Sequence, residues 1–463
     1  MNEGASNPLK DNNKKIRLRL MTFLAVMVIV PLIVVLVIRL EGQAPQLNVV
    51  TPIQHVGVQN QVTAALTDPK SGLKRFWVAV IQNGKEITLV DKNFPSSGWL
   101  RKGLRTSQSV AFSIEPRKVG LEDGNAMLRM MVVDYSWRSW GKGNRTYVET
   151  DIRIDTQAPA IRVISRAHNI SPGGSNAVVY ELSETCQQSG VQIADHFFRG
   201  YPLGTESDTK HVALFALTHT QGKGIQMNLI ATDLAGNLAR TSIPHYIKTK
   251  KFKRDTIRIS DGFISSKLPE FKDDPNIDQR TTPLAQFLYI NQDLRRQNKA
   301  TLGQIMQKSD PHKLWQGTFM RLPRSATRSG YGDKRTYHYG GKRVDQQTHL
   351  GIDLASVSNA PIPAANTGRV VYAQRLGIYG RMVVIDHGWG LFSMYAHLNS
   401  FEVKEGQQVQ KGDIIGYTGM TGLAGGDHLH FSVLVDGVLV NPLEWWDLSW
   451  IQNNITNKLG TSG

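Results

Sequence analysis

The chain has 463 residues, 40% of them hydrophobic, so it is long enough for several domains and too apolar for wholesale disorder. Its 54 Lys and Arg against 38 Asp and Glu give a net charge of +16, which favours an anionic partner: nucleic acid, membrane or acidic polymer. The single cysteine, Cys186, excludes an internal disulfide and a multi-thiolate metal site, so histidine and carboxylate must carry any metal chemistry.

The first element is an apolar run, Leu20 to Ile38, interrupted only by Thr22 and Pro31. As a helix it spans about 28 Å, close to the hydrocarbon thickness of a bilayer. Lys10, Lys14, Lys15, Arg17 and Arg19 precede it and hold residues 1–19 in the cytoplasm. A cleaved signal peptide has a shorter apolar core, and Arg39 to Gln43 lacks a small-x-small cleavage site. The expectation is an uncleaved transmembrane anchor over 20–38, with everything beyond it on the far side of the membrane. That placement argues against nucleic acid as the partner.

A weak internal repeat follows. Gln43-Ala44-Pro45 leads into Leu47-x-Val49, and Gln157-Ala158-Pro159 leads into Ile161-x-Val163. Each copy later has an apolar run ending in an aspartate, Met130 to Asp134 and Leu229 to Asp233. Short alternating segments bounded by Gly, Pro, Asn and Ser read as strands. Two β-sandwich modules are expected, over 43–155 and 156–247. The second resembles immunoglobulin-like domains through Asp233 to Asn237. A rod or spacer role suits both.

Residues 248–316 read as a linker and helical segment. Lys248, Lys250, Lys251, Lys253 and Arg254 open it as a solvated basic edge. Leu284, Phe287, Leu288 and Leu294, then Leu302, Ile305 and Met306, recur at helical spacing and predict one or two helices packed on the domain that follows. From 317 to 446, alternating segments divided by glycines predict a compact, mostly antiparallel β domain, with 447–463 as a C-terminal tail. The expected fold class is therefore mainly β, with a transmembrane helix at one end and a catalytic domain at the other.

The chemistry gathers in that last domain. In Thr348 to Leu354, read as a strand, His349, Gly351 and Asp353 share one face and Leu350, Ile352 and Leu354 the other. The glycine leaves room for an ion. In Asp427 to Val433, His428 and His430 project to one side of a strand. His397 ends Met394 to His397, in a hairpin whose first arm is Val383 to Ile385. His312, His338 and His387 have no such partners. Catalytic zinc takes three N/O protein ligands and keeps a position for water. His349, Asp353 and one histidine of His428/His430 make such a set, and two histidines remain to handle protons.

The ordered set His349-x-x-x-Asp353, Tyr395-Ala396-His397 and His428-x-His430 resembles the signature of lysostaphin-type (LytM-like) metalloendopeptidases. Gly351 to Ala355, Lys411 to Gly416 and Val440-Asn441-Pro442 fit the same pattern. The resemblance covers roughly 317–445. It implies that His349, Asp353 and His430 bind zinc and that His397 and His428 flank the bound water and scissile carbonyl. It further implies a peptidoglycan endopeptidase; with the N-terminal anchor, the expected placement is a single span in the inner membrane with the catalytic domain in the periplasm or otherwise outside the cytoplasm. The competing expectation is a silent wall-binding scaffold or activator of other hydrolases. A regulatory protein partner is compatible with either.

Overall fold

The computed structural model describes residues 8–51, 53–96, 98, 102–205 and 208–460. The chain is mainly β, opening with one long helix, Pro8–Arg39. Its segment Lys14–Arg39 is long and apolar enough to cross a membrane.

The chain divides into two compact units, the first running to Gln157. In that unit Gln46–Val49, Asn60–Thr67 and Ser107–Ile114 form a three-stranded sheet. A five-stranded sheet runs His55–Val56, Arg145–Ile154, Gly124–Asp134, Leu73–Gln82, Lys85–Asn93. The period-two pattern sends alternate residues inward: Val62, Ala64 and Leu66 from the first sheet, Phe76, Val78 and Val80 from the second. Phe76 and Phe112 meet across the sheets with ring centroids 6.3 Å apart.

The second unit takes most of the chain beyond residue 158. It begins with a seven-stranded path in the order Leu238–Ser242, Met227–Asp233, Cys186–Ile193, His196–Pro202, Lys210–Ala216, Ser175–Leu182, Ile161–Val163. The strand His196–Pro202 pairs with one neighbour through its first half and with the other through its second, so the path bends there. The antiparallel C-terminal sheet runs Ala326–Ser329, Ile352–Ala355, Leu429–Val435, Leu391–Phe401, Arg381–Asp386, Gly368–Arg375, Gln408–Val409. One apolar core passes through both sheets, from Val179 and Phe215 to Phe392, Val433 and Trp445. Polar ties reinforce it. The Glu444 carboxylate accepts from Ser175 N at 2.8 Å, and Asp436 accepts from Arg199 Nε at 2.8 Å.

In chain order the helical segment falls between these sheets. Thr282 caps Pro283–Leu288, its side chain accepting from Ala285 N. A π-helical stretch, Tyr289–Leu294, continues it into Arg295–Ile305. Phe271, Ile290 and Leu294 pack on Ile378, and Phe287 packs on Tyr337 at 5.7 Å. Tyr337 belongs to a small sheet of Arg254–Ile259, Lys334–Tyr339 and Lys342–Thr348, whose last strand delivers the chain to His349.

Candidate metal centre

His349, Asp353 and His430 meet. His349 Nε2 lies 2.9 Å from Asp353 Oδ1 and 3.0 Å from His430 Nδ1, and His430 Nδ1 lies 2.8 Å from Asp353 Oδ1. All three residues are buried. They reach one point by a route that differs from the expected strand. The chain leaves the ladder after Thr348, and the next strand starts only at Ile352, so His349 and Gly351 stand in a connecting turn. Asp353 then sits opposite His430 in the antiparallel pair Ile352–Ala355 and Leu429–Val435. Gly351 makes room for a neighbour instead of an ion: a Cβ there would fall 2.5 Å from both His430 Nε2 and Ser432 Oγ.

The surrounding hydrogen bonds fix which atoms carry protons. The Gly330 carbonyl can only accept, so His349 donates to it through Nδ1, at 2.9 Å, and its Nε2 keeps a bare lone pair. Ser432 Oγ donates to the Leu350 carbonyl and accepts a hydrogen bond from His430 Nε2–H at 3.1 Å, which leaves His430 Nδ1 bare. Arg335 Nη2 occupies Asp353 Oδ2 at 2.8 Å, leaving Oδ1 for the cluster. Three lone-pair atoms therefore converge with no proton between them, an arrangement that repels itself unless a cation sits in its midst. Zinc at about 2.1 Å from each ligand needs ligand atoms about 3.4 Å apart, a small outward adjustment. The residues present fit a metal ion, and the contacts from Gly330, Ser432 and Arg335 orient the three side chains that could hold it.

His397 and His428 stand beside the cluster. Their ring centroids are 4.9 Å apart, and His428 Nε2 is 3.6 Å from Asp353 Oδ1. His397 donates through Nδ1 to the Thr421 carbonyl at 2.8 Å, and His428 through Nδ1 to the Gly426 carbonyl at 2.8 Å, so each turns Nε2 toward the centre. His397 has φ +67°, a left-handed conformation uncommon for a non-glycine residue, at an irregularity in the pairing of Arg381–Asp386 with Leu391–Phe401. The bulge re-aims its ring.

Charge follows from these contacts. Burial works to raise the Asp353 carboxyl, yet the close approach of the His349, His428 and His430 imidazoles holds it well below the usual carboxylate range. Burial depresses His430 to about 4, and burial with the neighbouring His428 and His430 holds His397 well below its ordinary value. Burial also opposes the charged form of His428, but Asp353 outweighs it and raises that imidazole. Two adjacent imidazoles are thus pushed in opposite directions. His387, by contrast, is a core residue, bonded to the Thr367 carbonyl at 2.8 Å and Ser393 Oγ at 2.7 Å.

A cavity of about 260 Å³ opens over the centre. Ile257, Phe263 and Phe287 line it together with the histidines, as do Leu423 and Gly425 of the glycine-rich loop. Sequence reasoning missed Arg335 and Tyr379, which also line it. Arg335 lies on an alternating polar strand with nothing in its surroundings to mark it.

An antiparallel β domain presenting a His–Asp–His set and two spare imidazoles is a metal-dependent hydrolase centre in its chemistry. Residues 347–442 match Peptidase family M23, and this part of the chain is a domain of that family. The chain is 40% identical over 95 residues to the DD-carboxypeptidase/endopeptidase Mpg of Neisseria meningitidis, covering 20% of this chain and 22% of that protein. It is 38% identical over 112 residues to the peptidoglycan DD-endopeptidase ShyA of Vibrio cholerae, covering 24% and 26%. The chain thus spans about a quarter or less of the length of the curated relatives it matches. The catalytic domain of lysostaphin from Staphylococcus simulans aligns at 27% identity and TM-score 0.24, over 28% of this chain and 96% of that one.

Proposed function

We propose that the chain is a membrane-anchored, zinc-dependent endopeptidase that hydrolyses peptide cross-links of peptidoglycan outside the cytoplasm. The convergence of His349 Nε2, Asp353 Oδ1 and His430 Nδ1 carries this reading, because three unprotonated donors held within 3.0 Å of one another need a cation. The N-terminal helix supports the anchor, and the relatives' named activities support the substrate.

His349, Asp353 and His430 hold the metal. When bound, zinc supplies a water acidic enough to deprotonate near neutral pH and polarises the scissile carbonyl. His397 and His428 divide the proton work through their Nε2 atoms: one takes the nucleophile's proton, the other steadies the developing oxyanion or protonates the leaving amine. A positioned acid or base of this kind contributes about 10²–10⁴-fold. The apolar wall of Ile257, Phe263 and Phe287 excludes bulk water and strengthens these interactions.

Digestion of purified sacculi by the full chain, followed by mass spectrometry of the muropeptides, tests the reading. The expected result is release of new amino termini with one zinc per chain. A chain that holds zinc stoichiometrically and leaves sacculi uncut under all conditions would be a scaffold.

A further inference from the structure

Beside the metal centre runs a groove of about 1230 Å³ that the hydrolytic steps leave unused. Its lining is one-sided in charge. Lys250, Lys251 and Arg254 come from the basic run, Arg295, Arg296 and Lys299 from one helix, and Lys334 from a strand, while among the described residues no aspartate or glutamate lines it. All seven cations lie outside residues 347–442, so the family domain does not supply them.

Two features show that these charges face one another. Arg254 and Lys334 stand directly opposite in the parallel pair Arg254–Ile259 and Lys334–Tyr339. Like charges in register across strands are destabilising, and a fold gains nothing from placing them there without a counter-charge. Arg295 and Lys299 are four apart on Arg295–Ile305 and therefore share its face, again with like charge. Nearby acids are engaged: Asp293 pairs with Arg296, Asp345 accepts from Asn291 and Gln292, and Glu444, within electrostatic reach of Lys250, accepts from Ser175 N. His219, also in the wall, is depressed by burial first and then by Lys299 and Lys334.

The groove also leads somewhere. His349 and His430 line it, and Arg295 and Tyr379 line both it and the cavity over the metal centre. Whatever lies in the groove is therefore continuous with the scissile peptide. We propose that the groove is a carboxylate-recognition subsite, which docks a peptide strand bearing several free carboxylates and favours cleavage of unamidated stem peptides. This rests on the endopeptidase reading and adds a substrate preference to it. It also gives the second β module and the helical segment a part in binding.

The test uses the full chain in detergent micelles and two cross-linked muropeptides, one with free carboxylates and one with those groups converted to carboxamides. We expect wild type to prefer the carboxylate form by about tenfold in kcat/KM, chiefly through KM, as two or more partly exposed ion pairs allow. The preference shrinks at high salt. In R254Q/K299Q, or in K334Q with R254Q if that protein folds poorly, it falls toward unity. Wild type cutting both substrates equally, or the variants keeping the full preference, overturns the subsite. Dissociation constants in the His428→Ala background separate this from the parent reading. Charge-dependent binding without any cleavage in wild type would keep the groove and sink the hydrolase. Tighter binding of polyphosphate than of the carboxylated peptide would also overturn the assignment.

Discussion

A single side chain can separate holding the metal from doing the chemistry. His349→Ala removes one of the three lone pairs, so zinc content and sacculus cleavage fall together. His428→Ala leaves all three in place and should retain zinc, with kcat reduced about 10²–10⁴-fold. Atomic absorption and muropeptide release on both variants check this; normal cleavage by either refutes the site. Gly351→Ala is a sharper probe of packing. Its new Cβ, 2.5 Å from His430 Nε2 and Ser432 Oγ, forces the His430 ring to move. A displacement of about 1 Å can cost 10²-fold in rate, so activity and zinc affinity should both drop while the fold survives. An unchanged kcat would mean that the ring has slack there. The residue types were legible in the sequence because His-x-x-x-Asp and His-x-His bring imidazole and carboxylate together on short spacings. The turn at 349–351 was not legible, since a period-two pattern looks the same whether or not the ladder continues. Arg335 was invisible for a related reason: its partner Asp353 is fixed by tertiary folding of two strands, and no local pattern encodes that.

At the level of elements, the helical segment is the part that sequence periodicity foretold and whose consequence it could not. Leu284, Phe287, Leu288 and Leu294 marked the helix by their spacing. What they face is set by the small sheet carrying Tyr337 and by Ile378, both distant in sequence. Phe287 is buried at 2% exposure and lines the cavity over the candidate metal centre, so the helix narrows that cavity. Phe287→Ala pulls in two directions. Truncating a buried phenylalanine costs about 3–5 kcal/mol and lowers Tm. The same change widens the cavity, so cleavage of intact sacculi should rise. Differential scanning fluorimetry beside a sacculus release assay checks the pair. Activity falling in step with stability would show that the helix supports the site and does not screen it.

Over the whole molecule, residues from Ile170 to Ile247 share one apolar core with the C-terminal β domain. Sequence composition marks a change of texture near residue 250, and a change of texture need not be a break in packing. Lys458, near the C-terminus, reaches back to donate to the Ala177 carbonyl at 2.9 Å and also to Asn176 Oδ1. Burial pushes its ammonium down to about 7 from an ordinary 10.5. Between those values the unfolded chain binds a proton that the folded one does not, so this group makes stability rise as pH rises from about 7 toward 10.5. In Lys458→Met that contribution disappears. The difference between the denaturation midpoints of the two proteins, followed across pH, isolates it; parallel curves would place Lys458 in solvent. The shared core makes a larger demand. Ile455 and Trp445 are fully buried in the same cluster as Val179 and Phe215. A chain beginning at residue 158 keeps that cluster whole and should unfold in one cooperative transition. A chain beginning at residue 317 strips one side from it and exposes a contiguous apolar face, which in water recruits dye or another copy. The shorter chain should therefore bind a hydrophobic dye, self-associate and lose zinc affinity as its sheet loosens. If it proves monomeric, dye-silent and as heat-resistant as the longer one, the peptidase domain folds alone and the core shared with the second module contributes nothing to its stability.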